Sequence, residues 1–122
     1  DEPSRNYLSI AVPGFPNFFT LIGTNSPITN LSLIDIADIG VEYILQCVDK
    51  IKAGKFSTMT AKKSAAVAFG NELLTSFDDT IWVSGCSSWY FDGSSVPQTW
   101  PWSPAYFKAR LKKPNLNDYE LS

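Results

Sequence analysis

The chain has 122 residues, of which 44% are apolar and 18% charged, and its formal net charge is −2. This length suits one small domain, and this composition excludes a disordered tail. The near-neutral charge gives no electrostatic reason to expect nucleic acid or an anionic membrane surface as a partner. The chain has no histidine, which excludes Ser–His–Asp and Cys–His catalysis and every histidine-containing zinc site. No apolar run reaches the roughly 18–20 residues of a membrane-spanning helix.

The two cysteines, Cys47 and Cys86, match no metal-ligand spacing, so we expect no metal site. A disulfide between them is arithmetically possible. Nothing at the start of the chain resembles a secretory signal, and we therefore expect two reduced thiols, as in a cytoplasmic protein. We expect Cys86 to be a small buried residue and not a nucleophile, because no base is available to activate it.

The first quarter of the chain predicts two strands around a turn. Residues 1–6 are polar and indicate a frayed start or a cut end. Apolar side chains mostly alternate over residues 7–12, which is typical of a half-buried strand. Two prolines and a glycine predict a turn at residues 13–17. Residues 18–22 are rich in strand-forming side chains and predict a buried strand, which ends at the glycine loop 23–27.

Two helices are predicted next. Residues 31–51 favour one long helix, with Asn30 or Ser32 as its N-cap and Gly54 as its stop. Apart from one narrow polar stripe, the side chains of this helix are apolar, so it needs cover on several sides. A second helix is predicted over residues 61–77, with Thr60 as its cap. The apolar ladder of this helix, spaced at i, i+4, is Ala61, Ala65, Phe69, Leu73 and Phe77.

The last third of the chain is rich in aromatic residues and poor in periodicity. It predicts a brief strand at residues 81–83, a final helix near residues 104–112 and a polar tail. We expect Trp82 and Trp100 to anchor the core. Trp89, in a serine-rich turn, is the best candidate for stacking on a ligand. We expect the basic residues of the final helix to form a solvated face, namely Lys108, Arg110, Lys112 and Lys113.

The glycine loop and the start of the long helix form a candidate anion site. Unpaired amides at a helix start have partial positive charge, and a preceding glycine lets a ligand approach the backbone closely. Such a site suits a phosphate or a delocalised anion. Strand–turn–helix units without a ligand are common, so a purely structural role is the alternative.

Three stretches together resemble one known family. They are FPNFFTLIGTNSP before the long helix, TIWVSGCSSWYFDG after the second helix, and a WP followed by a terminal DYEL. In this order and spacing they resemble the C-terminal region of class B flavoprotein monooxygenases, the Baeyer–Villiger and related enzymes that depend on FAD and NADPH. The resemblance implies an α+β fold of short strands and two main helices. This fragment would complete the FAD-binding domain of an α/β flavoprotein with two dinucleotide-binding domains.

The resemblance also implies a cofactor-binding role for six residues. In the family the helix start points at the pyrimidine side of the flavin, where a backbone N–H stabilises negative charge on the reduced ring. Trp89 has the position of a tryptophan that contacts the nicotinamide cofactor in the cyclohexanone-type branch. The flavin-facing residues that match are Gly23, Asn25, Asn30, Leu31 and Ser32. The basic stretch that follows in that branch is missing, which places this chain outside it.

The implied function is insertion of one oxygen atom from O₂ into a small organic substrate, with FAD and NADP as cofactors. The glycine-rich motifs and catalytic arginine of the family lie upstream, so we expect an inactive fragment that works with the upstream part of the same polypeptide and self-associates alone. We expect residues 7–54 to face the flavin and residues 55–122 to add the second helix and the aromatic segment. The alternatives are a non-enzymatic aromatic-rich binding module and a dimerisation module.

Overall fold

The computed structural model describes residues 6–77 and 99–122. The elements of the described ranges are α1 (Leu33–Lys52), β1 (Met59–Ala61), α2 (Lys63–Phe77), α3 (Pro104–Arg110), a 3-10 turn (Leu116–Asp118) and β2 (Tyr119–Leu121). Strands β1 and β2 pair antiparallel, with Ala61 opposite Tyr119. None of these helices is long and apolar enough to cross a bilayer. The α+β class of short strands and two main helices is therefore confirmed for this part of the chain.

Helix α1 begins and ends where its capping residues predict. Ser32 has an extended backbone, and its Oγ accepts a hydrogen bond from Asp35 N at 3.1 Å. Gly54 follows the last turn with a φ of +88°, a left-handed conformation that favours glycine. Both ends are thus confirmed, with Ser32 rather than Asn30 as the cap.

Helix α2 begins later than its apolar ladder predicts. Thr60 and Ala61, expected as cap and first helical residue, lie in β1 and pair with β2. The helix then buries four side chains against the core, namely Ala66, Phe69, Leu73 and Phe77. Strand β2 falls in the expected polar tail, because three residues are too few for alternation to reveal a strand.

The first predicted strand is a compact turn. Leu8 and Ser9 have φ values of +54° and +64°, and Tyr7 N donates to Ala11 O at 2.8 Å across them. Left-handed backbone costs an ordinary residue about 1–2 kcal/mol. Here burial of Tyr7, Leu8 and Ile10 offsets that cost. The alternating pattern was real, but it reflects a buried turn and not an extended chain.

The second predicted strand, over residues 18–22, is neither regular nor buried. Phe19 forms only an isolated bridge with Ala11, while Phe18, Leu21 and Ile22 are exposed. The turn predicted at residues 13–17 is confirmed by the hydrogen bond from Phe15 N to Val12 O at 3.2 Å. Residues 18–22 are indeed mostly apolar, but the described part of the chain leaves most of their side chains exposed to solvent.

A network of buried tyrosines joins distant parts of the chain. The hydroxyls of Tyr43, in α1, and Tyr119, in β2, lie 2.7 Å apart in the core. Tyr7 donates its hydroxyl hydrogen to Asp118 and packs edge-on against Tyr119, with ring centroids 5.7 Å apart. Burial raises the pKa of all three phenols, because an ionised phenolate would lose its hydration there. The network fixes the N-terminal turn, α1 and the tail to one another.

Trp100 anchors the core as predicted, and Cys47 is buried as well. Trp100 is 1% exposed and packs edge-on against Phe107 with ring centroids 5.0 Å apart. Cys47 is a buried free thiol, and burial raises its pKa to about 12. The strand at residues 81–83, together with Trp82 and Cys86, lies outside the described residues.

The basic face of α3 is solvated only in part. The lysines at positions 108, 112 and 113 are exposed, as expected. Arg110 instead is half-buried, and its Nη1 lies 2.9 Å from both Glu72 Oε2 and the Tyr106 hydroxyl. This arginine therefore joins α3 to α2.

Removing one hydroxyl of the Tyr43–Tyr119 pair should leave the other buried without its partner. We expect Tyr43→Phe or Tyr119→Phe alone to lower the free energy of unfolding by about 1–3 kcal/mol. The double variant should lose clearly less than the sum of the two, because both partners are then apolar. Equilibrium urea unfolding of the three variants and the parent measures this coupling. Strict additivity would show that the two hydroxyls contribute independently.

Candidate functional site

A run of tight turns joins loop 23–27 to the start of α1. Ser26 donates twice to Gly23 O, from its backbone N at 3.2 Å and from its Oγ at 2.7 Å. Asn30 N and Leu31 N both donate to Pro27 O, at 3.1 and 3.0 Å. The position of the helix start therefore follows from the position of the loop.

Gly23 lies where no side chain fits. A Cβ at this position would lie 2.2 Å from Ser9 O and 2.4 Å from Thr20 Oγ1. Thr20 Oγ1 itself donates to Ser9 O at 2.8 Å, which holds the two segments together. The space that the sequence suggested for a ligand beside this glycine is filled by the protein's own N-terminal turn.

Asn25 points into the protein. Its backbone is left-handed, with a φ of +68°, and the residue is 3% exposed. Its Nδ2 donates to Thr99 O at 2.9 Å, and its Oδ1 accepts from Asn6 Nδ2 at 3.4 Å. The side chain thus connects three segments inside the molecule, and its predicted cofactor contact stays a prediction.

The amides available at the helix start differ from those expected. Asn30 N and Leu31 N are already bonded to Pro27 O, and Asp35 N is capped by Ser32 Oγ. Within the described residues, this leaves Ser32 N, Leu33 N and Ile34 N without an intramolecular acceptor. Of these, Ser32 was predicted, whereas sequence reasoning missed the amides of Leu33 and Ile34 because it could not decide between its two candidate caps.

Asp35 modifies the electrostatics of this helix start. Its carboxylate Oδ2 accepts from Ser32 Oγ at 2.7 Å, so a negative charge lies within the first turn. This charge interacts favourably with the helix dipole and reduces the positive potential offered to an anion. The helix start would therefore bind a ligand mainly through short-range hydrogen bonds from its backbone amides. Its long-range electrostatic attraction for an anion is weakened by Asp35.

Two open clefts adjoin these elements. A cleft of about 270 Å³ lies beside the start of α1, and its walls include Leu31, Asp35, Ile39 and Lys108. A second groove of about 610 Å³ lies between α2 and the aromatic pair Trp102 and Tyr106. Trp89, the expected contact of the nicotinamide cofactor, lies outside the described residues. No cluster of three or more potential metal ligands occurs in residues 6–77 and 99–122.

No protein-family model matches the chain, but individual relatives do. An uncharacterized monooxygenase of Mycobacterium tuberculosis is 36% identical over 113 residues, which cover 93% of this chain and 23% of that protein. A Baeyer–Villiger monooxygenase of Streptomyces coelicolor is 28% identical over 111 residues, which cover 88% of this chain and 21% of that protein. By sequence, this chain is therefore similar to part of proteins named as monooxygenases. The chain spans about a fifth of the length of these relatives.

A solved structure shows that the fold is shared. OTEMO in complex with FAD and NADP matches this chain with a TM-score of 0.80 at 21% identity, over 97% of this chain and 23% of that one. The resemblance that the three sequence motifs indicated, to the C-terminal region of Baeyer–Villiger-type enzymes, is thus confirmed.

A methyl group at Gly23 should collide with the N-terminal turn. We expect Gly23→Ala to lower the free energy of unfolding by about 2–3 kcal/mol, since the obstacle is a backbone carbonyl that cannot rotate away. Gly70→Ala is the matched control, because no atom of the described residues lies within 4 Å of its added Cβ inside α2. That control should stabilise the helix by about 0.5–1 kcal/mol. Urea unfolding of both variants tests the difference, and a neutral Gly23→Ala would show that the loop can move.

Proposed function

We propose that this chain is the C-terminal region of an FAD- and NADPH-dependent monooxygenase that inserts one oxygen atom of O₂ into a ketone or a related organic substrate. The supporting observation is that 93% of the chain aligns at 36% identity with a protein named as a monooxygenase. The homology favours this enzyme over an aromatic-rich binding module or a dimerisation module. The buried free thiol of Cys47 is in keeping with a cytoplasmic location.

The start of α1 is chemically suited to the pyrimidine side of a flavin. Leu33 N and Ile34 N are donors without an intramolecular acceptor, and the pyrimidine carbonyl oxygens gain negative charge when the ring is reduced. When bound, FAD supplies the redox chemistry by which electrons from NADPH activate O₂. The contribution of this chain is to hold two amides in a fixed direction, so that reduction is favoured without reorganisation of the backbone.

A second apolar face of α1 supports the proposal that most of the enzyme lies in other residues. One face of the helix, with Ile36, Gly40, Tyr43 and Cys47, is buried in the core. Another apolar row is solvent-exposed, and in it Ile34 and Leu45 are 75% and 54% exposed. The members of this row, at spacings of seven, four and three, are Ile34, Val41, Leu45 and Val48.

We infer that the upstream part of the same polypeptide covers this row. The relatives have about four-fifths of their length outside the aligned region, which is ample to provide such cover. A row of this size left in water would favour self-association of the isolated chain. Helix α1 therefore packs one apolar face in the core of this chain and presents the other to the rest of the enzyme.

The proposed activity can be tested by comparing two proteins. The longer polypeptide that contains this chain should purify with bound FAD and consume O₂ in a manner that depends on NADPH and a ketone. The isolated 122-residue chain should purify colourless and associate with itself in light scattering. A longer polypeptide that takes up no FAD would contradict the proposal. A clean monomer of the isolated chain would contradict the proposed cover of α1.

The role of the helix amides can be tested without breaking the helix. Leu33 is the first helical residue, where proline is tolerated, and the extended backbone of Ser32 suits a residue before proline. Leu33→Pro in the longer polypeptide deletes one donor, and we expect flavin reduction to slow about tenfold. Leu33→Ala keeps the amide and removes an exposed side chain, so reduction should change little. Stopped-flow reduction measures both, and equal slowing would show that the side chain matters instead of the amide.

A further inference from the structure

Five polar residues are buried together at one place in the described molecule. They come from the N-terminal turn, from the loop before α1 and from the residue just before Trp100. These residues are Asn6, Ser9, Asn25, Ser26 and Thr99. Buried polar side chains are rare unless they have hydrogen-bond partners. Five of them from three distant segments therefore indicate a specific connection between these segments, and we call this group of residues the joint.

The hydrogen bonds of the joint converge on Asn25. Asn6 Oδ1 accepts from Ser9 N at 2.7 Å, and Asn6 Nδ2 donates to Asn25 Oδ1 at 3.4 Å. Asn25 Nδ2 then donates to Thr99 O at 2.9 Å. One side chain thus connects the loop to a segment 19 residues before it and to another 74 residues after it.

The choice of asparagine at position 25 is informative, because its backbone conformation favours glycine. At two other left-handed positions, 14 and 54, the chain has glycine, and no atom of the described residues would lie within 4 Å of a Cβ added there. At position 25 the chain keeps an amide side chain at the same kind of φ. The side chain is therefore retained for the bonds it makes and not for the turn itself.

The joint is not optimised for stability alone. Ser9 Oγ and Thr99 Oγ1 are buried with no hydrogen-bond partner in the described part of the chain. An unpaired buried hydroxyl is less favourable than an apolar group of the same shape, and such groups concentrate where a structure serves a function. The joint therefore retains polar groups beyond those that hold its segments together.

We propose that Asn25 is a positioning residue that sets where the start of α1 meets FAD. This inference rests on the proposed function and deepens it. A movement of the loop is transmitted to the start of α1 through two contacts. Ser26 donates to Gly23 O within the loop, and Leu31 N, next to the cap residue Ser32, donates to Pro27 O. Loss of the Asn25 bonds shifts the two donor amides of α1 although no residue that touches the cofactor has changed.

The experiment uses the longer polypeptide and the variant Asn25→Gly. Glycine accepts the left-handed backbone, so the variant removes the bonds without adding strain. We expect the dissociation constant for FAD to rise about tenfold, because the donor amides of α1 are displaced, and the reduction of bound FAD by NADPH to slow. Asn6→Ala removes the bond between Asn6 Nδ2 and Asn25 Oδ1 and the bond from Ser9 N, but it keeps the bond from Asn25 Nδ2 to Thr99 O. It should therefore give a smaller increase, which provides a second route to the same measurement.

Asn17→Gly is the matched control. Asn17 is also left-handed, with a φ of +56°, and its side chain also bonds to distant backbone, with Nδ2 donating to Ser57 O and Oδ1 accepting from Met59 N. Those bonds lead to β1 and not to α1. Asn17→Gly should therefore lower the melting temperature but leave FAD binding and flavin reduction unchanged.

The outcomes separate the inference from the proposed function. If the parent polypeptide binds no FAD, the proposed function is wrong and this inference falls with it. If the parent binds FAD and Asn25→Gly binds it equally well, or if Asn17→Gly weakens FAD binding to the same extent, only the inference is overturned. A tenfold weakening confined to Asn25→Gly, with a smaller one in Asn6→Ala, supports it.

Discussion

The structure depends on how closely α1 approaches the loops that precede it. A Cβ at Gly40 would lie 3.2 Å from Leu21 O, so the helix and the loop meet backbone to backbone. Next to this contact, Ile36, Tyr43 and Cys47 enter the core. The N-terminal turn can be irregular because α1 provides a rigid surface against which Ile10 packs.

Hydrogen bonds from side chains replace the regular sheet that the described residues largely lack. The two paired strands are only three residues long each, which is too little to organise a chain with so much irregular backbone. Buried backbone groups nevertheless need partners. Asn6, Asn17 and Asn25 meet part of this need by bonding to backbone in turns and in distant segments. Tyr43 and Tyr119 add a link between side chains in the core.

The sequence predicted the helices well because their signals are local and repeated. Ser32, Gly54 and the apolar ladder of α2 each act within a few residues of the helix they define. The N-terminal turn could not be predicted in this way, since nothing near Leu8 and Ser9 favours left-handed backbone. Its conformation is stabilised by burial against residues more than 100 positions away, such as Tyr119. Strand β2 was missed for the same reason, because its partner lies about 60 residues earlier.

The sequence predicted the backbone elements of the candidate site but not the contacts of its residues. The motif correctly placed a glycine loop before a capped helix, yet the roles of its residues depend on contacts that a pattern does not encode. Gly23 accommodates the carbonyl of Ser9, and Asn25 is turned toward Thr99. Pro27 O accepts hydrogen bonds from the amides of Asn30 and Leu31, although proline has no amide hydrogen of its own.

The contacts of Pro27 O determine which backbone donors remain at the helix start. Because Pro27 O satisfies the amides of Asn30 and Leu31, the donors left in the described residues are those of the cap Ser32 and of Leu33 and Ile34. The last two are the first residues of α1. These residues also place apolar side chains on the surface, with Leu33 and Ile34 both more than half exposed. A cofactor bound to their amides and a protein surface packed on their side chains would therefore meet at the same turn of α1. If the proposed function is right, docking of the upstream polypeptide and binding of the cofactor would both remove this turn of α1 from water.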